Sequence, residues 1–440
     1  MTTREKATNI YEAAVAAVHP KQLLKKYLSA NENSIRIGNR QFNKNELGRL
    51  VVIAAGKAAG AMAFEAEQIL GDAISYGLCI TKHGHELPLS QLVIIEAGHP
   101  FPDKESTQAA VHIQQMVEGS DVNDIILLLL SGGASSLIAD IPTGCTLADI
   151  KLLTELLVNS GASIKEINTV RKHTSTLKGG KLAGIASPAQ LITLAISDVV
   201  DDDVSVIASG LTVPDTSTYA QAFAILQQYG LWQQIPASVK SHLQKGQEGV
   251  VPENPRTGDA CFLQTQYYLI GNNAIALKAA QKAAENFGYQ TSIYKAGLTE
   301  DVTTSSRLLI QQFKDYRGIT PACILLGGEP TLKITGDGKG GRCQHFVLNA
   351  LYEITRGGGS DMRNTLTILA AGTDGTDGPT DAAGAIADID TIHTPAGNLL
   401  SVTQYLSEFN AYDFFDRAGG LIKTGATQTN AGDIIVLIVE

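Results

Sequence analysis

One local pattern recurs along the sequence. A short run of uninterrupted apolar residues leads into a glycine-containing turn, and then into a segment with apolar residues at helical spacing. LVVIAA at 50–55 runs into Gly56-Lys57 and an alanine-rich stretch ending at Leu70. IILLLL at 125–130 runs into SGGASS, and LITLAIS at 191–197 runs into Asp198. A strand with one wet face alternates apolar and polar residues. A strand without alternation is covered on both faces, the usual state of parallel strands between helical layers. The repetition of strand, turn and helix therefore predicts an α/β fold with a doubly wound sheet.

A chain of 440 residues exceeds one ordinary core. GQEGVVPENPRTGD at 246–259 lacks periodicity and reads as a linker. After it the pattern resumes in YYLIG, ACILLGGEP, TLTILAAGTDGTDG and the terminal DIIVLIVE. The expected division is a Rossmann-like α/β domain at 1–250 and a second α/β domain at 259–440. A net charge of −10 without a basic face speaks against a nucleic-acid or anionic-membrane partner. No apolar run reaches the length of a membrane span, and the N-terminus lacks a signal-peptide core. The five cysteines form no CxxC pair, which suits reduced thiols rather than disulfides or zinc. The expectation is a cytoplasmic protein acting on small molecules; a homo-oligomer is compatible with the sequence.

Open α/β sheets bind ligands at the carboxyl ends of their strands. Loops diverge there, and helix N-termini aim unpaired N–H groups at the crevice. Lys57 follows such a strand, and a cation at a helix start opposes the helix dipole unless an anion joins it; a solvated loop lysine is the plainer alternative. Ser131, Gly132 and Gly133 follow the most apolar strand and suit an anion nest, or only a tight turn. NTVRKHTSTLKGGKLA at 168–183 gathers Arg171, Lys172, Lys178 and Lys181 in an acidic chain. One or two of these cations, Lys178 among them, are candidate ligands of a phosphate or small acid, with Gly179-Gly180 as a helix stop. Asp198 follows a strand, as do Thr373 and Asp374. Their oxygens suit substrate hydroxyls or Mg²⁺, although caps and Asx turns use the same residues.

GDGKGGRCQH at 336–345 is rich in glycine but fails as a nucleotide loop. Lys339 is followed by Gly340, Gly341 and Arg342 rather than by Ser or Thr, and no long apolar strand stands directly before it. What remains is a Gly340-Gly341 loop that opens a helix and presents Arg342, which can stabilise charge on a transferring phosphoryl group.

AGKAAGAMA, EAGHPFPDKES, SGGASSL, INTVRKHTSTLKGGKLA, ISDVVDDDVSVIASG, GGEPTLKITGDGKGGRCQ, AAGTDGTDGPTDAAGA and TGATQTNAGDIIVLIV occur in this order over nearly the whole chain. Together they resemble the class II (MOFRL-type) glycerate 2-kinase family. The resemblance implies an ATP- and Mg²⁺-dependent enzyme that phosphorylates D-glycerate on its 2-hydroxyl, with an active site in the cleft between two α/β domains. It also implies that Lys57 and Arg342 are the catalytic cations. Members of the family have been labelled hydroxypyruvate reductases. The competing expectation is therefore an NAD(P)H-dependent reductase, against which the missing dinucleotide fingerprint counts; a non-catalytic small-acid sensor is a third. The sequence departs from the family pattern at Cys343 and His345, where asparagine and glutamate are usual, at Asp201 in place of glycine, and at Leu211 in place of proline.

Overall fold

The computed structural model describes residues 1–356, 365–393 and 399–440. A short antiparallel ribbon comes first: β1 (Leu28–Ala30), β2 (Ser34–Ile37) and β3 (Arg40–Asn43). A six-stranded sheet follows, built from β4 (Leu50–Ala55), β5 (Tyr76–Lys82), β6 (Leu92–Ala97), β7 (Ile125–Leu130), β8 (Gln190–Ile196) and β9 (Thr265–Gly271). Its order is β6-β5-β4-β7-β8-β9, and the pairings among β4 to β8 are parallel. The chain winds outward from β4 to β6 and then returns to the other side of β4. That reversal is the switch point of a doubly wound sheet, where the turns after two neighbouring strands part and leave a crevice. β4 and β7 flank it and are buried along their whole length, which is why neither contains a polar residue.

The second sheet comprises β10 (Gln290–Leu298), β11 (Ala322–Gly328), β12 (Leu366–Gly372), β13 (Gly384–Ala387), β14 (Leu421–Ile422) and β15 (Asp433–Val439), in the order β10-β11-β15-β12-β13-β14. Only β10 and β11 pair in parallel; β15 runs antiparallel to both of its neighbours. Along β15, Ile435, Leu437 and Val439 join Phe346, Leu351 and Phe414 in one core. The intervening Ile434, Val436 and Ile438 are equally buried and point to the opposite face. Helix Thr3–Ala17 packs against β12, β15 and helix Asn273–Asn286.

Two compact units result: a parallel-sheet unit of Leu23–Ile196 with Asp202–Ile270, and a mixed-sheet unit of Met1–Gln22, Ser197–Asp201 and Gly271–Glu440. This division differs from 1–250 and 259–440. The stretch at 246–259 is not a linker, since Asn254 is buried and its Nδ2 donates to Asp215 Oδ2 at 2.6 Å. YYLIG belongs to β9 and so completes the first sheet instead of opening the second. The first helix belongs to the mixed-sheet unit, where the Tyr11 hydroxyl donates to Gly372 O at 2.7 Å and Thr3 Oγ1 donates to Glu440 Oε2 at 2.8 Å. Its apolar face, Ala7, Ile10, Tyr11 and Ala14, is fully covered. Helical spacing identifies such a face but not the sheet that will cover it. Among the described residues no helix is long and apolar enough to cross a membrane.

Removing residues 1–22 should therefore expose β12 and β15 to amide hydrogen exchange while β4 and β7 stay protected. Tyr11→Phe, which leaves the buried Gly372 carbonyl without this donor, should lower stability by about 1–2 kcal/mol in urea unfolding.

Candidate functional site

At the switch point of the parallel-sheet unit, the turns after β4 and β7 are tied to each other. Lys57 N–H donates to Gly132 O at 2.9 Å, and Ser131 N–H donates to Ala55 O at 3.0 Å. Ser131 Oγ accepts the Ala58 N–H at 2.9 Å. Gly56 has a φ of 127°, and a Cβ there would lie 2.2 Å from Ser131 Oγ, so only glycine fits. A Cβ on Gly133 would meet the His99 ring at 3.0 Å and Lys57 Cγ at 3.4 Å. Lys57, Ser131, Gly132 and Gly133 thus come together beside His99, which lies in the motif EAGHPFPDKES but was given no role there.

Gly133 and His99 also border a cavity of about 220 Å³ within this unit, as does Lys178. Lys178 is buried and forms an ion pair with Asp140, and its Nζ donates to Ile138 O at 2.6 Å. Asp140 Oδ2 in turn accepts from Ser175 Oγ and from the N–H groups of Thr176 and Leu177. Burial opposes the Asp140 charge, but Lys178 and these donors outweigh it and hold the carboxyl down at about 2. The structure therefore gives Lys178, expected as a ligand, an internal counter-ion that the sequence did not reveal. Lys172 is held likewise, with Nζ 3.2 Å from Asp215 Oδ1. Lys181 donates to Lys172 O at 2.6 Å, and burial pushes its ammonium down to about 8.

In the mixed-sheet unit the antiparallel entry of β15 sets Asp433 opposite Gly328 at the end of β11 and Gly372 at the end of β12. Arg342 opens helix Arg342–Thr355 and forks onto this carboxylate. Nε donates to Oδ2 at 2.6 Å, Nη2 to Oδ1 at 3.0 Å, and Nη1 to Glu329 Oε1 at 2.7 Å. Burial disfavours the guanidinium charge, but the two carboxylates more than offset this and raise its pKa. Burial also pushes the Asp433 carboxyl up, against the pull of Arg342. Of the five guanidinium N–H groups these bonds use three, so two remain for a ligand.

Gly341 is explained by close passage of the turn after β12, whereas a Cβ on Gly340 would meet Ala411 at an ordinary 3.4 Å. A Cβ on Gly341 would lie 2.2 Å from Asp377 Oδ1, and one on Gly378 would lie 2.5 Å from Gly340 O. Asp377 accepts the N–H groups of Cys343 at 3.0 Å and Gln344 at 2.8 Å, which satisfies the helix start. Burial pushes its carboxyl up to about 7, although these donors favour the anion. Thr373 Oγ1 donates to Gly432 O at 2.7 Å and accepts the Ala431 N–H at 2.8 Å. Asp374 Oδ1 accepts from the Thr376 N–H at 3.0 Å and the Thr376 hydroxyl at 3.1 Å. A Cβ on Gly372 would lie 3.2 Å from Asp374 Oδ1 and 3.5 Å from Asp433 Oδ1, so the two carboxylates share a corner. Asp198 Oδ2 accepts from Asn430 Nδ2 at 2.8 Å, on the segment leading into β15.

Arg342, Gly340, Gly341, Thr373, Asp374 and Asp198 are thereby gathered around one sheet edge. Asp377, which follows the same strand as Asp374 and suits the same chemistry, belongs there too, as do Glu329 and Asp433, which were not anticipated. The signal for Asp433 was present, as a charged residue heading an otherwise apolar strand. Cys343 and His345 face inward. Burial and the neighbouring carboxylates push the Cys343 thiol well up. His345 stacks on Phe409 with ring centroids 5.2 Å apart, and burial pushes it down to about 4, so it is neutral at ordinary pH. Among the described residues no three His, Cys, Asp or Glu side chains form a ready cation cage. Asp198 and Asp374 do offer the carboxylate oxygens that Mg²⁺ takes together with phosphate oxygens.

Residues 6–244 match the model described as "Domain of unknown function (DUF4147)", and residues 322–433 match the MOFRL family. The chain is 37% identical to a glycerate 2-kinase of Pyrococcus horikoshii, covering 100% of this chain and 98% of that one. It is 35% identical to a D-glycerate 2-kinase of Thermotoga maritima, covering 98% and 97%. A protein of Agrobacterium vitis provisionally named hydroxypyruvate reductase is 36% identical, covering 100% and 95%. The crystal structure of a glycerate kinase from Thermotoga maritima superposes with a TM-score of 0.82 at 34% identity, covering 99% of each chain.

Lys178→Met would strand the buried Asp140 charge and should cost about 3–5 kcal/mol in chemical unfolding. Because the folded-state pKa of Asp140 is depressed, its contribution is complete above the unfolded carboxylate value of about 4. It is lost as the pH falls toward about 2. Wild-type stability should therefore decline across that window, and the decline should be shallower in the variant.

Proposed function

The chain belongs to the class II glycerate 2-kinase family, and we propose that it transfers the γ-phosphoryl group of ATP to the 2-hydroxyl of D-glycerate. The observation that carries this reading is the end-to-end similarity to glycerate 2-kinases, with Lys57 and Arg342 lying in the motifs that bear the resemblance. Phosphoryl transfer requires positioning and charge neutralisation more than covalent participation by the protein. Lys57 is supported for such a role by its place on a turn that is locked to the turn after β7. Arg342 is supported by a guanidinium held in one orientation with two donors to spare. The forked hold of Asp433 and Glu329 keeps those donors aimed without reorganisation during the reaction.

When bound, Mg²⁺ would neutralise the phosphate chain, with Asp198 and Asp374 as the residues to hold it. A carboxylate of this pair not engaged in that way would orient the acceptor hydroxyl and take its proton. The five cysteines are unpaired, which supports function in a reducing cytoplasm.

The order of the first sheet is also that of dinucleotide-binding folds, which favours the reductase as the second reading. The turn after β4, however, reads AAGKAAG, without the G-x-G-x-x-G spacing that lets backbone approach a pyrophosphate.

Phosphorus NMR after incubation with ATP, Mg²⁺ and D- or L-glycerate should show 2-phosphoglycerate and ADP from the D-acid. Appearance of 3-phosphoglycerate, or oxidation of a nicotinamide cofactor by hydroxypyruvate in place of ADP release, would overturn the assignment. Lys57→Ala and Arg342→Ala should each lower kcat by roughly 10²- to 10³-fold. Near-full turnover by either would remove that residue from the mechanism.

A further inference from the structure

The basic cluster at 168–183 resolves into cations with internal partners and one without a counter-ion. Lys172 faces Asp215, Lys178 faces Asp140, and Lys181 donates to a backbone carbonyl. Among the described residues Arg171 makes one hydrogen bond, from Nη1 to Asn168 Oδ1 at 3.1 Å. No carboxylate among the described residues forms an ion pair with it, and burial alone pushes its pKa down. The side chain is half-buried, and four of its five N–H donors are left for another acceptor.

Arg171 borders the 220 Å³ cavity together with His99, Gly133, Ser135 and Ser136. Asp140 lines it as well, but Lys178 already neutralises that carboxylate. The guanidinium is therefore the uncompensated charge of this cavity. Its position is fixed from behind. Asn168 Oδ1 also accepts from Ser209 Oγ at 3.0 Å, and Ser209 Oγ lies 3.0 Å from Ser135 Oγ, on the helix after β7. Ala208 and Ser209 hold φ values of 50° and 53°, left-handed geometry that costs non-glycine residues of order 1 kcal/mol or more each. The fold keeps that strain where Ser209 reaches Asn168.

We propose that this cavity receives the acceptor acid and that Arg171 is its carboxylate anchor. Two parallel N–H groups of the guanidinium bind the two oxygens of a small 2-hydroxy acid, and the acid's hydroxyl end lies toward Gly133, His99 and the Lys57 turn. The identity of the acid rests on the glycerate kinase reading. The cavity, of about 220 Å³, is smaller than the roughly 300–1,000 Å³ that encloses a drug-sized ligand, a size that suits a three-carbon acid. The sequence offered one or two cations of this segment as ligands, Lys178 among them, whereas the geometry assigns the role to Arg171.

The test compares D-glycerate with glycerol, which keeps the hydroxyl but lacks the carboxylate, in the wild type, Arg171→Lys and Arg171→Gln. The expected result for Arg171→Gln is a fall of about 10²-fold or more in kcat/KM for glycerate, carried by KM. Turnover of glycerol and the KM for ATP should change less than about twofold, so the preference for the acid collapses. Arg171→Lys, which keeps the charge but not the fork, should fall between. A parallel loss for both acceptors, or an unchanged preference, would overturn the proposal. A fold defect would appear as a lowered Tm together with a raised KM for ATP, and in that case Arg171→Lys alone decides by its acceptor preference. Should the wild type phosphorylate no glycerate, the kinase reading falls. The anchor is then judged by calorimetry with D-lactate: binding lost in Arg171→Gln supports it, and equal binding overturns it.

Discussion

The mixed-sheet unit depends on the direction of one strand. Had β15 run parallel to β11 and β12, its first residue would lie at the far edge of the sheet, away from their carboxyl ends. Running antiparallel, it sets Asp433 between Gly328 and Gly372. That places one buried carboxylate where the loops after two strands diverge. Arg342 is drawn to it from the start of a helix, and Glu329, Asp374 and the glycine loop take their positions around the pair. A buried carboxylate of this kind is costly unless satisfied, so the arginine is fixed by the same forces that keep the sheet edge intact.

The parallel-sheet unit reaches a comparable rigidity by other means. There the switch point is closed by backbone hydrogen bonds and by a serine hydroxyl that accepts from the turn opposite. Charge is handled by internal pairs, Lys178 with Asp140 and Lys172 with Asp215. Both units therefore present preorganised donors, held at helix starts and on turns that hydrogen bonds lock to their neighbours. That suits a reaction in which charge must be stabilised without rearrangement.

Much of this was legible in the sequence. LVVIAA and IILLLL became β4 and β7 with their expected bounds, because strands buried on both faces leave an unmistakable composition. The glycine loop and Arg342 were legible for the same reason, since close backbone passage excludes side chains. The direction of β15 was not, because a uniformly apolar strand carries no mark of which way it runs. Nor was the partner of the first helix, whose buried face could cover either sheet. Among the clustered cations of 168–183, sequence gives residue types but not counter-ions. Asp140 and Asp215 lie 38 and 43 residues from their lysines, and only the fold shows which positive charge is left over.

The placement of the first helix has a consequence for synthesis. Tyr11 donates to the carbonyl of Gly372, 361 residues further on. At translation rates of about 5–20 residues per second, that acceptor emerges roughly 20–70 s after the tyrosine. During this interval Ala7, Ile10, Tyr11 and Ala14 have no sheet to cover them, while the parallel-sheet unit can finish folding. For most of the time the chain spends on the ribosome, these four residues therefore lack the sheet that buries them in the folded protein.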